Sequence, residues 1–267
     1  MAGPKPGQKT VLITGCTPGG IGHALCLEYH HKGLYVIATA RRPEVLAGLA
    51  EMGMSALQLD VTDQDSIQAC EEQVATITSG KLDILTNVLG VMATVQAFAG
   101  QLVAARGLIV NFASLAAVVP YVFGAAFSAS KGAVVSYSRT LRQELAPFGV
   151  RVTVVMAGTV RTTIDDGRRS QTLPRGSIYL DRASDLYQWR LGYSQGKSAM
   201  DARTTMLCCV GFWDGGDRIG SGMGQYVPGE SWTVVRGMAG DLVTSYSFRM
   251  NELAARLKDD ERQKKLT

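Results

Sequence analysis

Thr14-Gly15-Cys16-Thr17-Pro18-Gly19-Gly20-Ile21-Gly22 stands between a short apolar run, Thr10 to Thr14, and a helical pattern, Ile21 to Lys32. Glycines in such a turn let the main chain approach a pyrophosphate, and the free N–H groups opening the next helix meet its charge. Gly15, Cys16, Gly19, Gly20, Ile21 and Gly22 are therefore read as a dinucleotide cradle, with a plain tight turn as the competing reading. Arg41 and Arg42 follow the second apolar run, at the point where an acidic residue would hold a ribose 2′-hydroxyl and repel a 2′-phosphate. Two guanidiniums there favour NADP(H) over NAD(H), a surface charge pair being the simpler alternative. Asp60, with Val61 after it, closes the third run. Its carboxylate suits the adenine amino group, although an aspartate that only starts a turn looks the same.

These residues need strands and helices to position them. Apolar runs at Thr10–Thr14, Leu34–Ala40, Ala56–Leu59, Leu82–Thr86, Leu108–Phe112 and Val150–Met156 predict strands. They alternate with predicted helices at Ile21–Lys32, Pro43–Met52, Asp65–Thr78, Val88–Arg106 and Ser128–Phe148, the third capped by Thr62 or Asp63. That alternation predicts the α/β class: a single doubly wound, Rossmann-like parallel sheet over residues 1–267, helices on both faces, cofactor at the carboxyl ends of the strands. The pattern fades after Ala157. Thr172–Ala199 mixes Pro, Gly, Arg and aromatics without a sustained period, and Gly211–Gly229 is too glycine-rich for a helix. Residues 165–230 are expected to cover the ligand, with Tyr179, Tyr187, Trp189 and Tyr193 either walling an apolar substrate or packing in the core. Residues 251–267 carry mixed charge and predict a surface helix.

With Thr-Gly-Cys-x-x-Gly-Gly-Ile-Gly and Ala38-Thr39-Ala40-Arg41-Arg42, residues Thr10 to Ile164 resemble the short-chain dehydrogenase/reductase family. The wording is similar to its fungal branch of 1-acyldihydroxyacetone-phosphate reductases and their relatives in secondary metabolism. In that family a serine after strand five and a Tyr-x-x-x-Lys on the next helix carry the reaction. Ser114, in Asn111-Phe112-Ala113-Ser114, matches the serine, and Lys131, in Ser128-Ala129-Ser130-Lys131, matches the lysine. The resemblance implies that the serine orients a carbonyl, and that the lysine holds the nicotinamide ribose and lowers the tyrosine pKa. At the tyrosine position stands Phe127, which has no proton to give. Tyr121 is the nearest phenol in sequence, but its place in the preceding loop argues against its reaching the same point.

The resemblance breaks a second time. Leu82–Thr86 runs directly into Asn87-Val88-Leu89-Gly90-Val91-Met92, without the turn and helical stretch that the family places there. Asn87 is then either the family's water-holding asparagine or a remnant of the lost turn. Ala157-Gly158 stands where the family has Pro-Gly, and Thr162 or Thr163 is expected to bond the carboxamide or diphosphate. Family members usually pair through the long helices, so a homo-oligomer is expected. Three readings follow: an NADPH-dependent carbonyl reductase acting on a small, apolar carbonyl compound but impaired at Phe127; a non-redox isomerase or cyclase keeping the NADP(H) site; or a cofactor-binding pseudoenzyme.

Other classes fit less well. A net charge of +4 spread along the chain disfavours a nucleic-acid groove. His23, His30 and His31 lack ligand spacing, and Cys16, Cys26, Cys70, Cys208 and Cys209 lack metal-type pairing and suit a reducing compartment. Asp165-Asp166 is read as a loop turn or cap before a general base. Without an apolar leader or an uninterrupted apolar span, the expectation is a cytoplasmic protein with no transmembrane segment.

Overall fold

A computed structural model describes residues 3–88, 90–158, 160–163, 172–193 and 232–234. Seven strands form one sheet: β1 (Thr10–Ile13), β2 (Tyr35–Ala40), β3 (Ser55–Gln58), β4 (Ile84–Asn87), β5 (Leu108–Ser114), β6 (Arg151–Ala157) and β7 (Trp232–Val234). Their order is β3-β2-β1-β4-β5-β6-β7, and every pairing is parallel. All residues of β1, β2 and β4 are buried, as strands covered on both faces must be. Winding runs outward in both directions from β1 and β4, so the crevice at their carboxyl ends is the topological switch point.

Helices α1 (Ile21–His31), α2 (Ala47–Glu51), α3 (Gln64–Thr78), α4 (Val91–Ala105) and α5 (Ala125–Leu145) connect the strands. Side chains alternate across β1, with Val11 and Ile13 joining Leu25, Cys26 and Val36 in one apolar layer. Leu12 joins Val74, Phe98 and Ile109 in the other. Asp63 caps α3 by accepting from Asp65 N at 3.1 Å. At the opposite end of the sheet Asp83 accepts from Lys9 Nζ at 2.6 Å and from Thr10 N and Oγ1 at 3.0 Å each, pinning β1 against β4.

A buried polar chain crosses the sheet at its reactive end. Asn87 Nδ2 donates to Asn111 Oδ1 at 2.9 Å, Asn111 Nδ2 donates to Ser138 Oγ at 2.9 Å, and the Ser138 hydroxyl donates to Val134 O at 2.7 Å. Thr94 Oγ1 closes the other side on Asn87 Oδ1 at 2.7 Å. All four polar side chains are fully inaccessible, so each bond replaces water that cannot reach it.

Several expectations need correction. β5 continues to Ser114 rather than stopping at Phe112, because its pairing with β6 extends to Ser114 opposite Ala157. α5 begins at Ala125, three residues early, and α4 begins only at Val91, after Gly90 adopts φ 64°. Within the stretch read as lacking a period, Leu180–Tyr193 forms helix α6, broken by non-helical angles at Ala183. The break interrupts the period that would have marked it. β7 was not foreseen, its three residues being too few to carry a pattern. Asp165-Asp166, Cys208, Cys209, the rest of the expected covering segment and the expected helix from Asn251 lie outside the described residues. No helix among the described residues is long and apolar enough to cross a membrane.

Asn111→Ala is expected to cost about 2–4 kcal/mol, since it strands the Asn87 amide and opens a cavity. Urea unfolding measures the loss, and a change below roughly 0.5 kcal/mol would contradict this account of the chain.

Candidate active site

The glycine turn is shaped by contacts that only glycine permits. Gly15 and Gly19 both have φ 75°. A Cβ on Gly22 would lie 2.4 Å from Gly15 O, so α1 starts in direct contact with the turn. Cys16 fixes the turn from within: its N–H donates to Thr39 O at 2.8 Å and its thiol to Ile13 O at 3.1 Å, with the side chain wholly buried. Gly20 caps α1 without a side-chain bond, leaving the first-turn N–H groups facing the crevice for an anion. Across that crevice, Thr163 N donates to Gly19 O at 3.3 Å and its hydroxyl to Pro18 O at 3.2 Å. It is thus Thr163, and not Thr162, that reaches the turn. A Cβ on Gly158 would meet Leu115 only at ordinary contact distance, 3.6 Å.

Arg41 and Arg42 are exposed just beyond β2. Asp60 Oδ1 accepts from Thr62 N at 3.0 Å and Thr62 Oγ1 at 2.7 Å, the geometry of an aspartate starting a turn. The Thr62 hydroxyl, then the Thr62 N–H, hold its carboxyl below the usual value, and Arg41 adds a smaller pull. Arg41 and Asp60 therefore share one field at the outer end of the crevice. Val61 packs against Gly90, where a Cβ would come within 2.2 Å of the valine's own Cβ.

At the inner end stand the remaining groups. Ser114 closes β5, and its Oγ accepts from Ala116 N at 3.2 Å, capping the 3-10 turn Leu115–Ala117. The hydroxyl hydrogen stays available to a carbonyl oxygen. Lys131, two turns into α5, donates from Nζ to Phe112 O at 3.0 Å, which leaves two of its three donors for other partners. Burial lowers its ammonium below the ordinary lysine value. Phe127 lies one turn earlier on the same face, its ring centroid 5.9 Å from Lys131 Nζ and its surface 38% exposed. The Tyr121 ring packs beside it, centroids 5.9 Å apart, closer than its loop position led us to expect. Asn87 closes β4, its Nδ2 donating to Asn111 Oδ1 and its Oδ1 accepting from the Thr94 hydroxyl.

The aromatic stretch divides. Tyr179 and Tyr187 meet the Phe123 ring edge-on at 5.3 and 5.5 Å, and Trp189 packs near Leu186. Sequence reasoning missed Arg190, which lies over the Tyr121 ring at 4.1 Å, and Ser128, in the first turn of α5. Nothing local marked either of them, because the Arg190–Tyr121 contact joins distant segments. Among the described residues no group of three metal-ligating side chains occurs. Burial lowers His23, and burial with a smaller contribution from Glu71 pushes Cys70 up to about 12, so that thiol is inert.

Gly22→Ala should lower stability by about 1–3 kcal/mol, because the methyl meets backbone that cannot rotate away, and the turn should shift with it. A thermal melt with a dinucleotide titration checks both effects, and an unchanged melting point would count against the tight contact.

Comparison with known proteins agrees with this geometry. A family model described as short chain dehydrogenase matches residues 9–91 and 86–173, two matches that overlap where the expected turn and helical stretch after β4 are absent. A protein of Schizosaccharomyces pombe, named NADPH-dependent 1-acyldihydroxyacetone phosphate reductase, is 42% identical over 201 aligned positions covering 64% of this chain and 68% of the relative. The structure of a short-chain dehydrogenase from Streptomyces avermitilis superposes with a TM-score of 0.70 at 22% identity, covering 97% of this chain and 98% of that one. One from Burkholderia cenocepacia, described in complex with NADP, superposes with a TM-score of 0.63 at 19% identity, covering 94% and 97%. The chain belongs to the short-chain dehydrogenase family.

Proposed function

We propose that this chain binds NADP(H) and keeps the site of a carbonyl reductase whose proton-transfer step is disabled at Phe127. The observation that carries the reading is the Phe127 ring, one helical turn before Lys131 and 5.9 Å from its ammonium, where a phenol would stand between lysine and substrate. When bound, the nicotinamide would supply a hydride to the carbonyl carbon. The chain's own residues divide the rest. The glycine turn and the start of α1 hold the diphosphate, Arg41 and Arg42 hold the 2′-phosphate, Lys131 holds the ribose, and Ser114 donates to the carbonyl oxygen. None of them replaces the missing acid, whose loss costs on the order of 10²- to 10⁴-fold in rate. The name of the Schizosaccharomyces pombe relative and the NADP of the Burkholderia cenocepacia neighbour support the choice of nucleotide.

A non-redox reaction on the same scaffold is the second reading. It is favoured by the two departures falling at one end of the sheet: Phe127 at the start of α5, and the short 88–90 connection before α4, with Phe127 and Met92 left exposed on these helices.

Arg41→Ala with Arg42→Ala should remove the preference for NADP(H), at about 1.5–3 kcal/mol for each charge-assisted hydrogen bond to the phosphate. Calorimetric titration with both nucleotides measures it, and equal affinities in the unaltered chain would refute the assignment. Phe127→Tyr should raise ketone-dependent NADPH oxidation by about two orders of magnitude or more, and Lys131→Met in the same chain should abolish the gain. No gain at undiminished NADPH affinity would favour the non-redox reading.

A further inference from the structure

Arg190 is 8% exposed, and among the described residues no carboxylate pairs with it; its guanidinium stacks on the Tyr121 ring at 4.1 Å, while Nε is buried without a hydrogen-bond partner. A buried cation without a counter-charge is costly, and one aromatic face offsets only part of that cost. The surroundings make the position stranger. Gly124, the N-cap of the 21-residue helix α5, lies against this pair: a Cβ there would stand 2.3 Å from Tyr121 Cδ1 and 3.1 Å from Arg190 Nη2. The guanidinium therefore lies at the positive end of a long helix, whose cap has no side-chain bond and whose first-turn N–H groups lack intrahelical acceptors. Two positive features converge, and among the described residues no carboxylate pairs with the guanidinium. Three buried side-chain polar atoms lack partners among the described residues, and two of them, Arg190 Nε and Ser128 Oγ, belong to α6 and to the first turn of α5. The third, on Thr86, lies in β4.

We propose that Arg190 and the N-terminus of α5 form an oxyanion site for the substrate, taking a phosphate ester or a carboxylate carried by the carbonyl compound. The guanidinium fork and the helix N–H groups both donate to such a group, and its charge cancels both positive features. Tyr121 serves as the platform, holding the fork between the oxyanion and Phe127. The site rests on the reading of the chain as a reductase scaffold, and it places the substrate's charged end beside the position of the missing phenol.

The test is equilibrium binding to the full chain saturated with NADP⁺, which fills the cofactor's own phosphate sites. Glycerol 3-phosphate, glycerate and glycerol are titrated by calorimetry. One of the two anions should bind and glycerol should not, the stronger anion telling phosphate from carboxylate. Arg190→Met should weaken that binding at least tenfold, as expected for one charge-assisted contact, with NADP⁺ affinity unchanged, and the exposed Arg175→Gln should leave both alone. If neither anion binds, or if Arg190→Met binds as tightly as the unaltered chain, the site is refuted. Should Arg190→Met not fold, phenylglyoxal labelling of the unaltered chain replaces it. Protection of Arg190 by the anion but not by glycerol supports the site, and absence of protection refutes it. Failure to bind NADP⁺ would instead count against the cofactor assignment. The titration is then made on Arg41→Ala with Arg42→Ala without nucleotide, judged by the same outcomes.

Discussion

Everything reactive in this molecule hangs from the hydrogen bonds between Asn87, Asn111 and Ser138. They tie the carboxyl end of β4 and the middle of β5 to the middle of α5, and α5 carries both Phe127 and Lys131. Removed from water, each amide in the chain has only its neighbour for a partner, so the arrangement is all or none. A slip of α5 along the sheet would strand the buried Asn111 amide donor. The Lys131 bond to Phe112 O completes the clamp one strand end further on, and the Ser114 hydroxyl is placed by that same strand.

The glycine turn depends on close approach as well as on the hydrogen bonds of Cys16 and Thr163. Gly22 against Gly15, Gly19 against Thr163 and Gly90 against Val61 are contacts in which a methyl group would collide. They draw the first helix, the segment after β6 and the connection before α4 around the carboxyl ends of β1 and β4. A phosphate-sized anion meets backbone N–H groups there because no side chain stands in the way. Exposed Arg41 and Arg42 stand at the rim, just beyond β2.

Phe127 changes the chemistry without changing the frame. A benzene ring and a phenol fill nearly the same space, so α5, Lys131 and Ser114 keep their places while the transferable proton is gone. The shortened connection after β4 is a change of a different kind, in the backbone between β4 and α4. Phe127 and Met92, at the starts of α5 and α4, are left among the exposed large apolar side chains. The first departure replaces one side chain; the second shortens the connection between β4 and α4.

Strand and helix positions through β6 were legible in the residues, because burial on both faces of a parallel sheet leaves continuous apolar runs and the helices between them keep their own period. The glycine turn was legible for a similar reason, its conformation being set within nine consecutive residues, and the absence of a phenol at position 127 is a fact of composition that no folding can alter. Helix α6 was not, since Ala183 breaks its period, nor was the three-residue β7. The partner of the Asn87 amide, Asn111 on the neighbouring strand, was not legible in the sequence. The contacts of Thr163 with Gly19 and of Arg190 with Tyr121 join residues about 145 and 70 positions apart, and neither has a local signature. The chain by itself therefore determined the sheet, the glycine turn and a side chain without a hydroxyl at position 127, which are local in origin. Tertiary structure alone decided which threonine meets the turn, where Asn87 spends its amide and that a buried guanidinium faces the start of α5, because those depend on distant segments packing into contact.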